Sequence, residues 1–107
     1  MFTIYGFNTF NAAKVVLTAE ELGLKYRFVM LDPKQGDLAT PQHLERHPWG
    51  KIPVLEHGDL RLFESGAICR YLANVHQQTL YSAEPAQAAR IDQTMDAMAN
   101  HAGRWLT

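Results

Sequence analysis

The sequence has little of several things, and each shortage excludes something. One cysteine, Cys69, in 107 residues excludes an intrachain disulfide and any Cys-x-x-Cys redox pair. A reducing, cytoplasmic setting is the resulting expectation. Neither charge is in excess: ten Lys plus Arg against eleven Asp plus Glu leave a net of −1, which gives no bulk attraction to nucleic acid or to a membrane surface. The apolar runs are short, and the N-terminus lacks a basic region followed by an apolar one, so neither a membrane span nor a leader is expected. Repeats and low-complexity tracts are missing too. Apolar residues, at 47%, are plentiful enough for the core of one ordinary domain.

Periodicity divides the chain into short elements. Phe2 to Gly6 is β-branched and aromatic, and reads as a strand. From about Asn11 the spacing turns helical, with Val15, Val16, Ala19 and Leu22 on one face and Gly23 as the stop. Tyr26, Phe28 and Met30 then alternate with Lys25, Arg27 and Val29, a second strand. A loop over 32–39 leads to a short helix, with Thr40 as cap and Pro41 at its first position. Val54–Leu55 and Leu60–Phe63 read as two strands joined at His57-Gly58-Asp59, too close in sequence for a crossover and therefore antiparallel. Ser65 opens a helix whose stripe is Ala67, Ile68, Tyr71, Leu72 and Val75. The order predicts a right-handed βαβ unit, then a hairpin and a helix, in one small mixed sheet with helices on its faces.

Two features do not fit a self-contained domain of this kind. Pro53 stands at the mouth of the first hairpin strand, where it donates no ladder hydrogen bond. Either it starts an edge strand, or it bends the chain so that backbone groups stay open to a peptide-like ligand. After His76 the pattern lapses, and a further helical stripe follows: Ile91, Met95, Met98, Ala102 and Trp105. No later helix covers it, so it is expected to lack an intrachain partner and to seek another subunit.

The stretches HPWGKIPVLE and LFESGAICRYLA, supported by YGFNTFNAAKVVLTAEELGL, resemble the N-terminal, thioredoxin-like domain of cytosolic glutathione transferases. Residues 1–76 carry this resemblance; 77–85 read as a linker. PAQAARIDQTMD resembles the first helix of that family's all-helical domain, so 86–107 are expected to be one helix of an incomplete second domain. The resemblance implies a thioredoxin-like α/β fold with a mixed four-stranded sheet, followed by that helix. It implies a homodimer, with glutathione as co-substrate, a small electrophile as second substrate and no metal.

On the same resemblance, Pro53 matches the family's cis-proline, which would present the Ile52 backbone to the cysteinyl part of glutathione as a short strand addition. Glu64 suits the γ-glutamyl amine. Ser65 and the free N–H groups of its helix suit the γ-glutamyl carboxylate, because orphan donors and the helix dipole both favour an anion. A helix cap is the plainer role for Ser65, and the two can coexist. Lys51 could reach the glycyl carboxylate or be an ordinary solvated lysine. Leu38 departs from relatives that place a polar side chain there.

Catalysis in this family means converting the bound thiol to a thiolate. Phe10 stands where several classes have a serine, and Tyr5, inside the strand, reads as a packed aromatic. Thr9, Asn11 and Lys14 fit the Thr-x-Asn-x-x-Lys pattern of nu-class members, which implies Thr9 and Asn11 as donors to the sulfur. Both could instead simply cap the first helix. The expected activity is a glutathione transferase. A glutathione-dependent disulfide-bond reductase or peroxidase follows if the nu-class pattern holds, and a non-catalytic interaction domain is the reading that Phe10 suggests. His43 and His47, at i and i+4, are expected to be surface residues, since no third metal ligand lies at motif spacing. Cys69 is expected to be buried and unreactive. Trp49 is placed near the sulfur or at a subunit interface.

Overall fold

The computed structural model describes residues 1–76, 82–97 and 100. Its elements are β1 (Phe2–Gly6), α1 (Phe10–Glu21), β2 (Tyr26–Met30), a 3-10 turn (Pro33–Gln35), α2 (Pro41–Arg46), β3 (Val54–His57), β4 (Leu60–Phe63), α3 (Ser65–Val75) and α4 (Pro85–Ala97). The four strands form one sheet in the order β2-β1-β3-β4. β1 and β2 are parallel, the other two pairs antiparallel. This is the thioredoxin-like mixed sheet, and it places the end of β1 and the start of β3 side by side at the same end of the two central strands.

Side-chain alternation assigns the two faces. Ile4 and Leu55 are opposite one another in the β1/β3 ladder and leave the same face. There they join Val15, Ala19 and Leu22 of α1 and its C-cap with Ile68, Cys69 and Leu72 of α3, all buried. Burying each of the larger aliphatic side chains is worth about 1.5–3 kcal/mol, so this cluster dominates stability. Tyr5 and Val54, the next pair along, take the opposite face with α2.

Local chemistry sets the element ends. Thr9 caps α1 by accepting the Ala12 N–H at 3.2 Å. The helix closes through the Leu22 N–H to the Thr18 carbonyl, and Gly23 leaves it at φ +69. Thr40 caps α2 through the His43 N–H, with Pro41 at the first position. The expected loop after β2 contains one extra turn of 3-10 helix: Asp32 accepts the Lys34 N–H at 2.9 Å, and its own N–H donates to Asp37 Oδ2 at 2.8 Å. Short-range Asx bonding of this kind is invisible to hydrophobic periodicity.

The expectation that the last stripe lacks an intrachain partner is corrected at Met95. Met95 of α4 packs against the main core, and Arg70 of α3 pairs with Asp92 and, at 3.5 Å, with Asp96. Met98, Ala102 and Trp105 of the same stripe lie outside the described residues.

Candidate functional site

Three segments distant in sequence meet at one end of the sheet, where β1 finishes and β3 begins. The first is the start of α3. Its N-cap is Glu64, with φ 76 and ψ 111 and no side-chain capping bond. A non-glycine residue there carries roughly 1–2 kcal/mol of backbone strain. Ser65 is the first helical residue, 8% exposed, so the capping role considered for it is not the one it has. The first-turn N–H groups of α3 have no side-chain acceptor from Glu64. That is a donor-rich, buried helix start, suited to a carboxylate.

The second segment is the start of α1. Thr9 is the cap, but a hydroxyl that accepts one hydrogen bond still carries a proton to donate. Asn11 is inside the first turn and does not cap. Its Oδ1 lies 3.5 Å from Ser65 Oγ, which brings the starts of α1 and α3 into near contact. With Oδ1 turned towards Ser65, the Asn11 amide NH2 is left as the donor on its other side. Lys14 Nζ is 5.4 Å from the centroid of the Phe10 ring, so the ammonium stands over an aromatic face that offers no polar atom.

The third segment is the loop from His47 to Pro53. The Ile52–Pro53 peptide bond is cis. Among the described residues, neither the N–H nor the C=O of Ile52 takes a backbone hydrogen bond outside the ladders. Lys51 is exposed beside it. The loop is held from within: the Gly50 N–H donates to the His47 carbonyl at 2.9 Å, and the Trp49 N–H to His47 Nδ1 at 3.1 Å. Gly50 itself has φ +62, and a Cβ there would stand 2.8 Å from the Leu38 carbonyl oxygen, so only glycine fits.

The two histidines are not on the surface. His43 is 0% exposed and His47 3%. The reason is that each ring finds a partner outside α2. His43 Nε2 bonds the Lys51 carbonyl at 2.7 Å and its Nδ1 faces Arg46 Nη1 at 3.3 Å. His47 lies against the Phe63 ring at 4.3 Å, with Trp49 beyond. Burial, reinforced by His43, holds the His47 pKa below the ordinary histidine value. Among the described residues no group of three or more His, Cys, Asp or Glu could hold a metal ion. Sequence reasoning missed this use of His43; its only signal was closeness to the HPWGKIP stretch.

Other side chains are accounted for structurally. The Tyr5 hydroxyl donates to Glu56 at 2.8 Å, and burial together with Glu56 pushes its pKa up, so Tyr5 is a packed aromatic. Burial likewise pushes the Cys69 thiol up, against a hydrogen bond from Thr18. Beside Thr9, a groove of about 620 Å³ runs between α1 and β2, lined by Phe7, Phe10, Val16, Tyr26 and Phe28 among others. Sequence periodicity marks Tyr26 and Phe28 only as strand residues, because a groove wall shows itself once the facing helix is placed. No described helix is long and apolar enough to cross a membrane.

Comparison with known proteins gives concordant results. Residues 1–74 match the family described as Glutathione S-transferase, N-terminal domain. Glutathione S-transferase 4 of Zea mays is 42% identical over 82 residues, covering 77% of this chain and 34% of the relative. Probable glutathione S-transferase GSTF2 of rice (Oryza sativa subsp. japonica) is 34% identical over 93 residues, covering 86% and 43%. Among solved structures, a theta class glutathione S-transferase from Xanthomonas axonopodis pv. citri, with glutathione bound, superposes at a TM-score of 0.88 with 37% identity, over 94% of this chain and 49% of that one. Glutathione transferase F2 from Populus trichocarpa gives 0.86 with 27% identity, over 96% and 50%. The chain thus spans half or less of the length of these relatives.

Proposed function

The chain belongs to the glutathione S-transferase family through its N-terminal domain, and on that premise we propose that it binds glutathione and activates its thiol for attack on an electrophile. The observation that carries the reading is the meeting of two helix starts beside an unpaired backbone segment: Asn11 and Ser65 at 3.5 Å, with the cis Ile52–Pro53 bond alongside. In this arrangement the cysteinyl backbone of glutathione pairs with the Ile52 N–H and C=O. The γ-glutamyl carboxylate takes the Ser65 hydroxyl and the start of α3, and Glu64 takes the amine. Lys51 serves the glycyl carboxylate as a point charge, where Leu38 offers none.

Thr9 and Asn11 act on the sulfur. The Thr9 proton, the Asn11 amide and the dipole of α1 all favour the thiolate over the thiol. The thiolate then attacks an electrophilic carbon, its lone pair forming the new bond as the leaving group departs with its electrons. The aromatic groove beside Thr9 is the part of the electrophile's wall that this domain supplies. The nu-class pattern rests on Thr9, Asn11 and Lys14, while of the four relatives compared two carry F2 in their names and one is named theta class.

Residues 1–76 form the glutathione-binding unit in this reading, and α4 begins the helical one. A homodimer is part of it as well. Trp49 is 69% exposed although it sits edge-on to Phe63, a large apolar surface for a second copy. The cytoplasm is the expected location. The deciding experiment is calorimetric titration of the chain with glutathione, followed by thiolate absorbance of the complex against pH. Binding with a thiol pKa below that of free glutathione supports a transferase. Binding with an unchanged pKa favours the non-catalytic module.

A further inference from the structure

We propose that His43 is a positioning residue for the ligand's cysteinyl backbone, acting through the hydrogen bond its Nε2–H donates to the Lys51 carbonyl at 2.7 Å. The inference rests on the glutathione-binding reading above and assigns the segment that holds the tripeptide a buried anchor.

The ring's tautomer follows from its partners. Arg46 Nη1 lies 3.3 Å from His43 Nδ1, and a guanidinium can only donate. Nδ1 is therefore the acceptor and Nε2 carries the proton, which is what a bond to a carbonyl requires. Arg46 is itself fixed, with Cζ 4.0 Å from the centroid of the Tyr5 ring, and Tyr5 is tied to Glu56 at 2.8 Å. A fully buried imidazole costs free energy unless both nitrogens are satisfied, and here both are.

The Lys51 carbonyl matters because it shares one rigid peptide plane with the Ile52 N–H. The cis bond in this loop is the next one, Ile52–Pro53, so in the Lys51–Ile52 unit the C=O and the N–H point in opposite directions. His43 grips the plane from inside, and the N–H is aimed outward at the ligand. A hydrogen bond accepted at the carbonyl also polarises the same amide and makes its N–H a better donor. His43 touches no ligand atom in this scheme. It acts through the peptide plane.

The test compares His43→Leu and His43→Gln in the full chain, with two probes: glutathione, and γ-glutamylmethylamide, which keeps the γ-glutamyl end but not the cysteinyl residue. His43→Leu should weaken glutathione about five- to tenfold and the shorter probe by no more than about twofold. His43→Gln, whose side-chain amide nitrogen can stand where Nε2 stands, should recover most of the loss. The Ile52 amide resonance should shift on glutathione binding in the parent and in His43→Gln, and much less in His43→Leu. Equal losses for both probes, or no loss for glutathione, overturn the proposal. Should His43→Leu fail to fold, Arg46→Met keeps the ring buried but releases Nδ1. Imidazole ¹⁵N spectra should then show a second tautomer, with a loss of glutathione affinity. A second tautomer with full glutathione affinity, or a lasting single Nε2–H tautomer with reduced affinity, overturns the proposal. A parent chain that binds no glutathione overturns the underlying reading, a result distinct from a parent that binds and a variant that binds equally well.

Discussion

Ser65 Oγ lies 3.5 Å from Asn11 Oδ1, joining the start of α3 to the start of α1 across 54 positions of sequence. A hydroxyl donates one proton at a time. When a carboxylate takes the Ser65 proton, Asn11 loses that contact and keeps its own NH2 for the sulfur. The two residues are neighbours with separable duties, and substitution should separate them.

Asn11→Ala is expected to remove one charge-assisted hydrogen bond from the bound thiolate, worth roughly 1.5–3 kcal/mol. The pKa of bound glutathione should rise by about one to two units, with a modest change in affinity. Ser65→Ala should do the reverse. Thr9→Val is the companion test for the second donor. Thiolate absorbance against pH reads all three, and a profile in Asn11→Ala that matches the parent would remove Asn11 from the sulfur site.

Glycines at positive φ should differ in cost according to what surrounds them. Gly50→Ala places a Cβ 2.8 Å from a backbone carbonyl oxygen at φ +62, so it should destabilise the domain by about 2–4 kcal/mol. Gly58→Ala, at φ +61 with nothing within 4 Å, should cost only the conformational part, about 1 kcal/mol. Urea denaturation of both variants decides the matter. Equal midpoints would show that the Leu38 carbonyl yields freely.

The stability of the fold should fall with acid in a window set by His47. Its folded-state pKa is depressed, first by burial and then by His43, so the unfolded chain binds the proton more tightly. The loss therefore begins as pH drops below the ordinary histidine value of about 6.5 and continues down through the depressed folded value. His47→Asn keeps an acceptor for the Trp49 N–H and removes the titration. Its melting temperature should be flatter than the parent's across that window; parallel curves would contradict the assignment.

Arg70 is expected to hold α4 on α3. Arg70→Leu keeps an apolar stem but loses the pairs to Asp92 and Asp96. Both carboxylates are substantially exposed, so the effect on global stability should be small, about 1 kcal/mol or less. Amide exchange across 88–97 should accelerate several-fold while β1 and β3 stay protected. Unchanged exchange in α4 would mean that packing, including that of Met95, retains the helix without these ion pairs.

Much of the fold could be read from sequence because its signals are local. Thr40-Pro41, the His57–Asp59 turn and the stripe Ile68–Leu72 each announce themselves within a few residues. What could not be read depends on partners brought in by the sheet. His43 sits in a short helix and His47 at its C-cap, and only the arrival of Lys51 and Phe63 makes them interior. Glu64 takes a left-handed conformation without glycine, because the β4-to-α3 corner demands it. Met95 looked unpartnered because its contacts come from the first domain, not from a later helix. Of the site, the residue types were legible, while the 3.5 Å approach of Asn11 to Ser65 needed the parallel β1/β2 crossover and the hairpin to be placed together.

The sheet order β2-β1-β3-β4 also makes the cleft a product of tertiary structure and of no single element. Residues 9–11, 50–53 and 64–65 come within reach of one another only after β3 has docked against β1 and α3 has closed over α1. Local helix formation does not assemble any two of them. A partly folded chain therefore has no cleft to occupy, and any small molecule captured there acts on the native state alone. Its effect on stability grows as the logarithm of its free concentration over its dissociation constant. The midpoint of unfolding thus becomes a gauge of occupancy, readable without following any reaction.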